Sequence, residues 1–130
     1  MIYSQTELDA LAKRYTDAWN SKVPGRVADM HVASSSIIIN NGAPSQGHSG
    51  ITEVAVGFHT DVPDLELRCD GIRGAGSHCI YLWTFTGHHA ESGNPLKVEG
   101  WEEWELDDDM KITSSLGWFD AEEYARQVAG

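Results

Sequence analysis

Apolar positions recur along this chain with two different spacings. From Leu8 onward, Leu8, Leu11, Ala12, Tyr15, Ala18 and Trp19 follow the i, i+3, i+4 rhythm of a helix with one buried face. Ser4 and Glu7 make a capping-box pattern before it, with Tyr3 and Leu8 placed for a hydrophobic staple. Pro24 suits the first position of a short second helix carrying Val27, Met30 and His31 on one side. Residues 36–40 (SIIIN) read as a brief strand followed by a turn-rich segment, and Ile51, Val54, Ala55 and Phe58 mark a third helix ended before Pro63. The period then changes to two. Residues 64–73, 78–89, 97–106 and 111–119 read as four long strands joined by polar turns. Asp120 and Glu123, with Phe119 and Tyr124 as staple, predict a closing helix to about Val128. Helices first and an antiparallel sheet afterwards predict an α+β fold, a single domain over 1–130.

Strand parity singles out one residue. Along Gly100-Trp101-Glu102-Glu103-Trp104-Glu105-Leu106, side chains alternate, so Val98, Gly100, Glu102, Trp104 and Leu106 share a face. That face is apolar except for Glu102. A buried carboxylate is costly unless it is hydrogen-bonded or protonated. Either Glu102 serves chemistry in a pocket, or twist turns it outward, or Tyr15 or Trp19 merely satisfies it. On the strand at 78–89, Tyr81, Trp83, Phe85 and His89 share the bulky face, which places His89 with the residues expected to line a cavity. Ser115, Gly117 and Phe119 share a face of the last strand, where two small residues leave room for a ligand. Asp64, after Pro63, is either a mouth residue or a turn former. Trp101 lies on the opposite face with Glu103 and Glu105, as interface tryptophans do.

Composition narrows the partners. The chain has 130 residues and a formal net charge of −11, which argues against nucleic acid and anionic membrane surfaces. No apolar run is long enough to span a bilayer, and the N-terminal segment lacks a signal-peptide pattern, so a cytoplasmic location is expected. Cys69 and Cys79 flank the turn Gly74-Ala75-Gly76-Ser77. Pairing about that turn sets Cys69 opposite Leu82 or Trp83, so two free thiols are expected. The six histidines form no metal-ligand spacing, and no nucleotide-binding or nucleophile-elbow motif occurs. Neither a metal nor a cofactor is expected.

The order of elements resembles the nuclear transport factor 2-like superfamily, in its SnoaL-like, polyketide cyclase-like branch. The resemblance rests on Tyr15-x3-Trp19-Asn20, Pro63-Asp64-Leu65, Trp83-Thr84-Phe85-Thr86-Gly87, Gly100-Trp101-Glu102-Glu103-Trp104 and Phe119-Asp120 before Tyr124. It implies a cone, with a strongly curved sheet wrapped around helices and a cavity at the wide end. Gly100-Trp101-Glu102 matches the cyclases' Gly-Ile-Asp, and Gly87-His88-His89 their Gly-Thr-His. Tyr15 and Glu102 match the oxyanion-binding pair of ketosteroid isomerase. The chain departs where that isomerase carries its base, having Ile39 and Asn40. It departs again where the cyclases carry Glu-His, having Ser114 and Ser115.

The expectation is therefore a cofactor-free acid–base enzyme acting on a small hydrophobic molecule, of cyclase, isomerase or dehydratase type. Glu102 would be the acid/base, His89 a second proton carrier and Tyr15 an orienting donor. Trp19, Phe58, Asp64, Tyr81, Trp83, Trp104, Ser115, Gly117 and Phe119 would contact the ligand. A non-catalytic ligand-binding module and a protein-association module are the alternatives, and the family habit adds a homodimer.

Overall fold

The computed structural model describes residues 3–130. Helix α1 (Gln5–Asn20) opens on the expected capping box. Ser4 Oγ accepts from Glu7 N at 3.1 Å, and the Glu7 carboxylate accepts from Ser4 N at 3.0 Å. Its buried stripe is Leu8, Leu11, Ala12, Tyr15, Ala18 and Trp19. Helix α2 (Pro24–Ala28) starts on its proline, which loses no hydrogen bond there. Strand β1 (Ser36–Ile39) and the two-residue β2 (Ser45–Gln46) precede α3 (Gly47–Asp61). The long strands follow as β3 (Glu66–Ala75), β4 (His78–His88), β5 (Pro95–Leu106) and β6 (Ile112–Phe119), and α4 (Ala121–Ala129) closes the chain.

One six-stranded sheet runs in the order β2-β1-β6-β5-β4-β3. Its pairs are antiparallel except β1 with β6, which run parallel. That parallel pair and β2 correct the purely antiparallel sheet expected from sequence. The register of β3 shifts between Cys69 and Gly71, and that of β5 between Glu105 and Leu106. Such irregularities bend and twist a sheet. The result is the expected α+β cone, a curved and unclosed sheet with helices in its concave side. Cys69 pairs with Trp83 rather than Cys79, and both cysteines are free.

The inner face is aromatic. Tyr81, Trp83 and Phe85 of β4, and Val98 and Trp104 of β5, are all buried. Gly100 is part of the same design, because its missing side chain makes room for a neighbour. A Cβ there would lie 2.5 Å from the Trp83 ring and 2.4 Å from the Trp118 carbonyl oxygen. At the C-terminal end Asp120 caps α4 by accepting from Glu123 N at 3.0 Å, and Tyr124 packs on Phe119 with ring centroids 6.0 Å apart. Only half of that capping box forms, because the Glu123 carboxylate is taken by Arg126.

Candidate active site

Glu102 enters the cone as parity requires. It pairs with Tyr81 of β4 on one side and Gly117 of β6 on the other. Its neighbours supply two donors to a single oxygen. Tyr15 Oη, from the buried face of α1, donates to Glu102 Oε1 at 2.5 Å, and Trp104 Nε1 donates to the same oxygen at 3.1 Å. Oε2 accepts from no described side chain at normal hydrogen-bond geometry. Ser115 stands close enough to favour the charged carboxylate, yet its buried hydroxyl completes no bond.

Burial dominates the electrostatics. It raises the Glu102 pKa above the ordinary carboxyl value, against the opposing hydrogen bonds from Tyr15 and Trp104. It also raises Tyr15 well above an ordinary phenol, reinforced by the Glu102 charge and hydrogen bond. Tyr15 therefore stays protonated and acts as a donor. Tyr81 is raised likewise, chiefly by burial. Around the pair the rings lock together. Tyr81 stacks on Trp104 at 5.0 Å between centroids, and Tyr15 meets Tyr81 edge-on at 5.1 Å.

Beside Glu102 lies a cavity of about 60 Å³. Of the ligand-contact residues expected from sequence, Trp19, Phe58, Trp83, Gly117 and Phe119 line it together with Tyr15 and Glu102. Tyr81, Trp104 and Ser115 sit behind this wall as supports. Residues outside that ligand-contact set complete it, among them Ile37, Ile39, Leu65, Leu67 and Phe85, the last on the strand face already expected to line a cavity. All are apolar, so they carried no chemical signal of their own.

Two expected site residues lie elsewhere. Strand β4 ends at His88, and His89 turns away to accept from Ser92 N at 3.3 Å, with its ring 6.5 Å from Tyr124. His89 is eight positions past Tyr81, the partner of Glu102, which is on the order of 25 Å along a strand. It does not line the cavity. Asp64 is exposed and is held by His88, accepting from its backbone N and pairing with its Nδ1, each at 2.7 Å. This contact joins the start of β3 to the end of β4 rather than the mouth to a ligand.

A histidine beside the wall is His59, whose ring is 5.5 Å from Trp19 and whose two buried nitrogens have no hydrogen-bond partner among the described residues. Burial lowers its pKa and keeps it neutral. Its signal was legible in sequence, since His59 continues the Ile51, Ala55 stripe at i+4. Among the described residues no cluster of three or more His, Cys, Asp and Glu side chains converges as a metal site.

Comparison with known proteins places the fold. Among solved structures, a SnoaL-like polyketide cyclase-type protein from Jannaschia sp. CCS1 superposes with a TM-score of 0.86 at 13% identity, over 100% of this chain and 98% of that one. A protein of ketosteroid isomerase-like fold from Catenulispora acidiphila DSM 44928, in complex with trimethylamine, gives 0.84 at 16% identity over 92% of each chain. TerC, co-crystallised with polyporic acid, gives 0.80 at 13% identity over 94% and 98%. At such identities the likeness is one of fold. No curated protein matches the chain in sequence. The family model for SnoaL-like polyketide cyclase matches residues 9–128, nearly the whole chain, and the protein belongs to that family.

Proposed function

We propose that the cone binds a small, largely apolar molecule and carries out acid–base chemistry on it through Glu102. One observation carries this reading. A carboxyl group lies in an apolar cavity, one oxygen held by two donors and the other without a hydrogen-bond partner among the described residues. A raised pKa brings such a group nearer to neutral pH, where it can both give and take a proton. Tyr15 fixes the carboxyl by its hydrogen bond and directs Oε2 to the ligand. Cyclisation, isomerisation and dehydration all need this kind of proton transfer, and none of them needs a cofactor. That two structural relatives were obtained with trimethylamine and with polyporic acid supports small-molecule binding within this architecture.

The non-catalytic alternative draws on a specific observation, the absence of His89 from the cavity wall. Among the described wall residues, Glu102 would then have only the Tyr15 phenol, kept protonated by burial, as a second titratable neighbour. Glu102→Gln separates the two readings, because it keeps the shape and removes the acidic proton. Catalysis predicts turnover lowered by about 10²–10⁴-fold with binding retained, whereas a carrier would change only modestly in affinity.

We further propose that two copies pair through the outer sheet face. Ile80, Leu82, Trp101 and Leu116 are exposed there, Leu82 pairs with Trp101, and Trp101 stacks on Trp118 at 6.3 Å. Glu103 Oε2 accepts from both indoles, at 3.4 Å from Trp101 and 3.0 Å from Trp118, and so orders the patch. The free thiols Cys69 and Cys79 fit a cytoplasmic setting.

A further inference from the structure

Ser115 carries a buried hydroxyl on the strand next to Glu102. The residue is 1% exposed, and its Oγ has no hydrogen-bond partner among the described residues. Were a small side chain all that position 115 required, alanine would meet the need without burying a hydroxyl. Strand register sets this hydroxyl against one point. Ser115 pairs directly with Trp104, and Glu102 pairs with Gly117, two residues further along β6. Residues two apart on a strand share a face, so Ser115 is the diagonal neighbour of Glu102 on the inner face, within reach of a long side chain. The Glu102 side chain also lies over β6, since a Cβ on Gly117 would stand 3.8 Å from its Cγ. Burial raises the Glu102 pKa, and Ser115 opposes that rise after Tyr15 and Trp104.

One carboxyl oxygen remains for this hydroxyl. Tyr15 and Trp104 both donate to Oε1, which leaves Oε2 without a donor. A serine hydroxyl has one proton and two lone pairs and turns to suit its neighbour. It can donate to a carboxylate and accept from a carboxylic acid. The Trp104 indole can only donate, so it serves one form better than the other. A carboxyl that gives and retakes a proton needs a neighbour able to serve both.

We propose that Ser115 is a positioning residue for Glu102, its hydroxyl closing a hydrogen bond with Oε2 that reverses direction when the carboxyl changes protonation state. The inference rests on Glu102 being the acid–base group of the cavity. The proton taken from the ligand resides on Oε2 and returns from it, and Ser115 neither gains nor loses one. Its bond holds the carboxyl in one plane through both forms. A hydrogen bond to a charged acceptor is the stronger, so losing the hydroxyl penalises the carboxylate more than the acid.

Side-chain carboxyl NMR on the whole chain reads this without a ligand, with Glu102→Gln assigning the signal. Ser115→Ala removes the hydroxyl with little change of shape. It should raise the Glu102 pKa by about 1, the difference in worth between a charged and a neutral hydrogen bond. Ser115→Cys keeps the shape with a weak S–H donor and should fall between alanine and the wild type. Ser114→Ala, on the opposite face of β6 where it pairs with Glu105, should leave the Glu102 value in place.

A wild-type Glu102 that titrates above the ordinary carboxyl range and is unmoved by Ser115→Ala would overturn the role of Ser115 and leave the acid–base reading standing. Equal shifts from Ser115→Ala and Ser114→Ala would mark a general loosening of β6 and overturn it as well. An ordinary wild-type value, still raised by Ser115→Ala, would overturn the acid–base reading and this role with it, while the hydrogen bond itself stood.

Discussion

Tyr15 and Glu102 lie 87 residues apart in the chain and share a hydrogen bond of 2.5 Å inside the cone. The bond couples a helix that begins the fold to a strand near its end. Its direction is set by burial, since the phenol stays protonated and the carboxyl accepts. Breaking it has a signed consequence. The bond favours the charged carboxylate, so Tyr15→Phe should raise the Glu102 pKa further, and Trp104→Phe should do the same more weakly. Side-chain carboxyl NMR on the wild type and both variants measures this. An ordinary carboxyl pKa for Glu102 in the wild type would remove the basis for its catalytic role.

Gly117 and Gly100 face the same interior and should respond oppositely to substitution. A Cβ on Gly117 meets Ile39 Cγ1 at 3.7 Å and Glu102 Cγ at 3.8 Å, which is ordinary contact. Gly117→Leu therefore projects into the cavity, blocking ligand entry with little loss of stability. A Cβ on Gly100 collides with the Trp118 backbone and the Trp83 ring, so Gly100→Ala should cost about 1–3 kcal/mol. Chemical denaturation of the two variants tests the contrast. A collapse of the midpoint in Gly117→Leu would make that position packed core.

Much of this arrangement is legible in the sequence because local rules act there unopposed. The Ser4–Glu7 box, Pro24, the alternation along β5 and the Phe119–Tyr124 staple all depend on neighbours a few residues apart. Strand β2 was not legible, since two residues carry no period, and its pairing with β1 is settled by tertiary contact. His89 misled for a similar reason. Parity holds only while the strand continues, and β4 stops where Asp64 captures His88. Gly87 permits that capture, because a Cβ there would lie 2.5 Å from Val62 Cγ1 and 2.8 Å from Asp64 Oδ1. The pairing of Glu102 with Tyr15 followed from resemblance, whereas the seating of Trp83 over Gly100 became visible only once side chains were placed.

Two buried groups give the fold opposite responses to pH. His31 bridges to Ile112, with Nδ1 3.1 Å from Ser35 Oγ and Nε2 without a partner among the described residues. Burial first, then His48 and Lys111, lowers its pKa from 6.5 to about 4. The unfolded chain thus binds the extra proton first, and stability falls as pH drops from 6.5 to about 4. The loss is on the order of 3 kcal/mol. Glu102 has its folded value raised, so its contribution is present at low pH and is lost as pH rises from 4.5 through that value. His31→Gln should flatten the acid limb of the stability curve, and Glu102→Gln should steepen it. Thermal melts between pH 4 and 7 test both signs, and parallel curves for all three proteins would contradict them.

The outer face offers the last test. Leu82, Trp101 and Trp118 form one row across β4, β5 and β6, and Ile80, Glu103 and Leu116 form the next. Four of these six are large exposed apolar residues if Trp118 and Glu103 are set aside, so a second copy would remove them from water together. A two-fold pairing would set the same patch against itself. Glu103 already accepts from both indoles, which lowers the cost of bringing its charge into such a contact. Light scattering at micromolar concentration should give twice the chain mass. Trp101→Lys would bring like charges together across the two-fold axis and should return the protein to monomer, with its helical and sheet signals unchanged. A wild type that is monomeric at these concentrations would exclude this face as a self-association surface.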